Sequence, residues 1–87
     1  MDKREQYNNT IADSIRRLRL EKGWSQAALA AKLQTLGIDY THARISQIER
    51  KKRPPTAVFI VALKCIFECE YHDFFAEVET EYKQLLM

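Results

Sequence analysis

Residues 25–49 read SQAALAAKLQTLGIDYTHARISQIE. Two helices joined by a short turn account for the stretch. Ser25 is an N-cap type of residue, and Leu29, Ala30, Leu33 and Leu36 recur at the spacing that gives a helix one buried stripe. Gly37 can take the left-handed backbone that ends a helix, so Gly37-Ile38-Asp39-Tyr40 reads as a turn. Thr41 is then the N-cap of a further helix in which Ile45 and Ile48 point inward. That leaves His42, Ala43, Arg44 and Gln47 on its outward face.

Working back towards the amino end, Thr10 with Asp13 three residues on has the form of an N-cap and its acidic partner, and Ile11, Ile15 and Leu18 follow at helical spacing. This first helix is expected to stop at Gly23, with Lys22 favouring its negative end and Trp24 packing beneath the junction. Residues 1–9 are polar and are expected to form an arm. Towards the carboxyl end, Arg50-Lys51-Lys52-Arg53 and Pro54-Pro55 end the third helix, because proline disfavours helical geometry in the residue before it. Thr56 caps a fourth helix, Ala57 to Phe67, in which all but Lys64 are apolar. Such a helix needs cover on more than one face. From Tyr71, Phe74 or Phe75, Val78, Tyr82 and Leu85 mark a fifth helix among acidic residues. The chain therefore reads as all-α, with five helices and no strands.

The 87 residues have room for one domain with one small core, and 46% hydrophobic with 30% charged residues is the composition of a folded globule. Its longest apolar run falls far short of the roughly 20 residues that cross a bilayer, and the amino end lacks the apolar run of a secretory signal. A cytoplasmic location without membrane contact is expected. The formal charge of +2 hides a strong asymmetry. Residues 1–53 carry 12 Lys and Arg against 6 Asp and Glu, whereas residues 54–87 carry 2 against 6. A polyanion suits the first part, and the acidic second part should face away from it.

Against this frame, Arg19, Ser25-Gln26, Leu29-Ala30 and Ile45-Ser46-Gln47-Ile48-Glu49 resemble the phage repressor and Cro type of helix-turn-helix domain, the XRE-like family. Leu63 to Phe75 is similar to that family's end of helix four and opening of helix five. The resemblance covers about residues 10–76 and leaves residues 77–87 as an amphipathic helical extension. It implies a compact five-helix bundle of the lambda-repressor-like DNA-binding type, with the helix-turn-helix formed by helices two and three. The implied base-contacting residues are His42, Ala43, Arg44 and Gln47, the same set that periodicity turns outward. Arg44 can donate two bonds to guanine, Gln47 can pair with adenine, and Ala43 can touch a thymine methyl. Ser25, Gln26 and Thr41 near helix N-termini, with Arg50, Lys51, Lys52 and Arg53, are the phosphate-contacting candidates. Arg19 and Glu49 are implied to form a salt bridge that orients helix three.

The pattern also departs from the family. The interval from Leu29 to Glu49 is about five residues longer than in compact members, which opens the docking angle of helix three and brings Tyr40 or His42 into reach of a phosphate. Lys51 and Glu68 stand where relatives commonly have glycine, so the loop after helix three is expected to differ.

No catalytic constellation appears, and no cofactor is implied. Cys65, Cys69 and His72 have metal-like spacing, but they lack a fourth ligand and sit in an apolar segment, so packing cysteines and no metal are expected. The resulting expectation is a double-stranded DNA-binding transcriptional regulator, a repressor of phage or mobile-element type that binds an inverted-repeat operator as a homodimer. Phe59, Ile60, Val61, Phe67 and Leu85 are its interface candidates. The rival is an antitoxin or anti-repressor type of module that holds a partner protein through helix four and the tail.

Overall fold

Every helix start but the last is set by a side chain that supplies what the backbone lacks there. The computed structural model describes residues 2–87. Its helices are α1 (Lys3–Glu21), α2 (Gln26–Thr35), α3 (His42–Glu49), α4 (Ala57–Phe67) and α5 (His72–Leu86), with no strand among the described residues. Ser25, Thr41 and Thr56 each accept the N–H of the residue three places on, which satisfies one of the donors that a helix start leaves orphaned.

Helix α1 begins eight residues earlier than the Thr10 cap implies, with its cap at position 2 in place of position 10. Asp2 is the cap, accepting from the Glu5 N–H at 2.9 Å, and Thr10 lies inside the helix with its hydroxyl donating to the Gln6 carbonyl. Residues 3–9, expected to be an arm, are helical because α5 gives them something to pack on. Tyr7 is buried edge-on against Tyr82 with ring centroids 4.7 Å apart, and Lys3 pairs with Glu81 at 3.2 Å. Met1, the first residue of that expected arm, lies outside the described residues.

The core joins Ile15 and Leu18 of α1, Leu29 and Leu33 of α2, Ile45 and Ile48 of α3, Phe59, Leu63 and Phe67 of α4, and Phe74 of α5. Burying one such side chain contributes about 1.5–3 kcal/mol. Leu36, read as the last member of the buried stripe, is 52% exposed. The helix has already ended there, and Ile38 packs against the core after the chain reverses. Three of the residues expected at a subunit interface are also placed differently: Phe59, Ile60 and Phe67 are buried in the chain's own core. Periodicity marks α4 as apolar all round without saying which side its neighbours cover. Val61 and Leu85 are exposed.

Four helix ends share one closure. After α1, the Gly23 N–H bonds the Leu20 carbonyl and the Trp24 N–H bonds the Arg19 carbonyl, the paired bonds of a Schellman motif. The same pairing recurs around Gly37, Lys51 and Glu68, each with a positive φ. The loop after α3 thus keeps the left-handed turn despite Lys51, because two backbone hydrogen bonds outweigh the strain of one non-glycine residue there. That strain is about 1–2 kcal/mol, against about 0.5–1 kcal/mol for the extra freedom glycine has when unfolded. Glu68→Gly, at an exposed position with φ 54°, should therefore stabilise the fold by about 0.5–1 kcal/mol, seen as a rise of a few degrees in thermal midpoint by circular dichroism.

Candidate nucleic-acid interface

The reading helix is held from below by an ion pair. Arg19, near the end of α1, donates from Nε to Glu49 Oε2 at 2.7 Å and from Nη2 to Glu49 Oε1 at 2.8 Å. Its Nη1 donates to the Trp24 carbonyl at 2.7 Å. Both side chains are buried, so this fork is shielded and each end depends on the other. The Glu49 hydrogen bonds raise the Arg19 pKa above its ordinary value against the opposing effect of burial, and the guanidinium loses its charge only in strong alkali. Gln26, the first residue of α2, donates from Nε2 to Glu49 Oε1 at 3.2 Å. One carboxylate therefore ties together α1, the start of α2 and the last turn of α3.

With Ile45, Ile48 and Glu49 buried, the opposite side of α3 is fixed by helical geometry. Ala43 and Gln47 are exposed there, whereas His42, three residues before Ile45 and seven before Glu49, lies on their side of the helix and is exposed because it is the first residue. Arg44 is half-buried, its guanidinium carbon 4.2 Å from the centre of the Tyr40 ring. Tyr40 in turn stacks on Phe59 at 4.9 Å and shares a hydrogen bond with the Thr56 hydroxyl at 3.2 Å. Tyr40 thus faces α4, the position that the long connection from α2 to α3 had left open. Its spacing of four before Arg44 was the available signal.

The phosphate candidates lie around this face. The Ser25 and Thr41 hydroxyls accept the N–H groups of Ala28 and Arg44, and each keeps its own hydrogen for an outside acceptor. The Gln26 amide directs one hydrogen at Glu49 and keeps a second, while the Gln26 and Ala27 backbone N–H groups lie in a first turn that no helical carbonyl serves. Arg50, Lys51, Lys52 and Arg53 are all exposed. Lys51 pairs with Asp13 at 3.1 Å, a solvent-facing contact worth under about 1 kcal/mol.

A helix-turn-helix family model matches residues 15–74, from the middle of α1 to the opening of α5 and well over half of the chain. The chain belongs to the helix-turn-helix family. Its membership is of the XRE and Cro-like kind, and the shared activity of that family is DNA binding by transcription regulators. No curated protein and no solved structure matches the chain. In helix-turn-helix terms α2 and α3 are the paired helices, and the early turns of α1 and most of α5 lie outside the match.

Among the described residues no three His, Cys, Asp or Glu side chains gather closely enough to hold a metal ion, and the left-handed Glu68 interrupts the run from Cys65 to His72. Burial, with the nearby Asp73 and Glu70 charges, pushes the Cys69 thiol pKa up, so it stays protonated at neutral pH. No helix among the described residues is long and apolar enough to cross a membrane.

Glu49→Ala would strand the buried Arg19 charge and should cost about 3–5 kcal/mol of a fold worth about 5–15, read from the urea midpoint. Replacing both partners, Arg19→Met with Glu49→Leu, should recover most of that loss.

Proposed function

We propose that the chain is a sequence-specific transcriptional repressor that lays α3 in the major groove of an operator and works by occupying it, without catalysis or a bound effector. One observation carries this reading: the helix locked through Glu49 turns Ala43 and Gln47 outward, with Arg44 at the flank of that face and His42 exposed at its start. A helix fits the major groove, and these side chains match its donors, acceptors and methyl groups. The Ser25, Gln26 and Thr41 groups with the basic run from Arg50 to Arg53 would set the register on the phosphates. The acidic α5 packs on α1 and has no extensive contact with α3, which suits a polyanion approaching from the α3 side.

Binding as a homodimer on an inverted repeat follows from size. The eight residues of α3 span only about 12 Å, enough to read a few base pairs, and two copies related by a two-fold axis would read two half-sites. Val61 and Leu85 are the exposed remnants of the expected interface, and Val61 is joined by Val58 and Leu36 in an apolar groove. An apolar patch of this kind could meet its own copy across a two-fold axis.

Selection of the purified protein against random duplex DNA near physiological salt should enrich an inverted repeat. Arg44→Ala should lose roughly tenfold preference at one base while keeping the salt dependence of binding. Lys52→Ala should weaken all sequences alike and lower the salt slope by about one. Sedimentation should give a dimer that Val61→Glu converts to a folded monomer. A pool with no enriched sequence would overturn the DNA reading and favour a protein partner; a monomer on single half-sites would overturn only the dimer.

A further inference from the structure

The Arg44 guanidinium has a contact but, among the described residues, no hydrogen bond. It lies over the Tyr40 ring, and its Nε is shut off from solvent with no partner among the described residues. A buried, unpaired donor is unusual, because each costs free energy unless something else holds the group in place. Here the ring does so: a guanidinium stacks on the face of an aromatic ring through charge and planarity alone, using none of its five N–H donors. Tyr40 is itself fixed on its other sides by Phe59, which is fully buried, and by the hydroxyl of Thr56, which also caps α4. The order Phe59, Tyr40, Arg44 is a stack running from the core to the reading face.

We propose that Tyr40 is a positioning residue for base recognition, holding Arg44 by stacking so that its two terminal amino groups face a guanine edge. This rests on the proposed major-groove reading of α3. With Nε enclosed, the side-on approach through Nε is closed and the end-on fork of Nη1 and Nη2 is left for guanine O6 and N7. The ring also sets the guanidinium before DNA arrives, so less side-chain freedom is lost on binding. A thymine or adenine at that position offers no pair of acceptors to match the fork.

The test compares Tyr40→Leu, which removes the ring, with Tyr40→Phe, which keeps the ring and loses only the bond to Thr56. Affinities are measured on the selected duplex and on its single-base variants at two salt concentrations. Tyr40→Leu should lose guanine preference roughly tenfold, as much as Arg44→Ala loses at the same base, with an unchanged salt slope. Tyr40→Phe should keep that preference within about twofold, and adding Arg44→Ala to Tyr40→Leu should cost nothing further at that base. Without DNA, the Arg44 Nε–H signal in nuclear magnetic resonance should be shifted by the ring current and slow to exchange in the wild type and in Tyr40→Phe. Retained guanine preference in folded Tyr40→Leu, or an effect spread evenly over all bases, would overturn the proposal. Should Tyr40→Leu not fold, a fast-exchanging, unshifted Arg44 Nε–H in the wild type or in Tyr40→Phe overturns it equally. If no DNA sequence is enriched while the ring-current shift is present, the major-groove reading has failed, and the role assigned to Tyr40 in base recognition falls with it while the stack itself stands.

Discussion

The fork between Arg19 and Glu49 is the constraint on which the geometry of the other parts depends. A helix of eight residues is too short to persist by its own hydrogen bonds, so the direction of α3 is a property of what grips it. Ile45 and Ile48 fasten its underside to the core, Thr41 closes its start, and Glu49 fastens its end to α1 and, through Gln26, to α2. Burying two charges is costly, and this pair meets the cost because Arg19 also donates to the Trp24 carbonyl and Glu49 also accepts from Gln26. The outcome is angular accuracy more than net stability. Each of these groups takes part in orienting the face that bears Arg44 and Gln47.

Much of this was legible because it is local. Caps at Ser25, Thr41 and Thr56 and the glycine stops at Gly23 and Gly37 act over three or four residues, and so does the inward placement of Ile45 and Ile48. The outward face of α3 could be read as their complement. What stayed hidden depends on contacts between distant parts of the chain. The first turns of α1 are held by Tyr82 and Glu81, at the far end of the sequence. The burial of Phe59, Ile60 and Phe67 depends on which neighbours reach α4, which no period reveals. Tyr40 is a linker residue whose ring finds Phe59 and Arg44 only after folding. Lys51 and Glu68 show the converse, a residue preference overruled by a pair of backbone hydrogen bonds.

Charge follows the same architecture. The basic run after α3 and the acidic α5 are parted by α1, which packs against both α3 and α5. Lys3 and Glu81 pair across that packing, so part of the negative potential is neutralised where the two termini meet. The remainder lies on a helix whose apolar partners are Tyr7 and the core around Phe74, which keeps it anchored to the far side of α1. An approaching polyanion would meet an oriented field as well as a set of contacts.

The connection from α2 to α3 is sealed at both ends, by the reversal around Gly37 and by the Thr41 cap. Between the Ile38 N–H that closes α2 and the Thr41 cap lie only Asp39 and Tyr40, whose backbone neither helix uses for its hydrogen bonds. An insertion at Asp39 therefore leaves both helix ends closed, provided that Ile38 keeps its place against the core and Tyr40 its place under Arg44. Doubling such a loop raises its closure cost by only about 0.6 kcal/mol. A lineage could lengthen or shorten it and thereby tilt the reading helix, changing operator preference without passing through an unfolded ancestor.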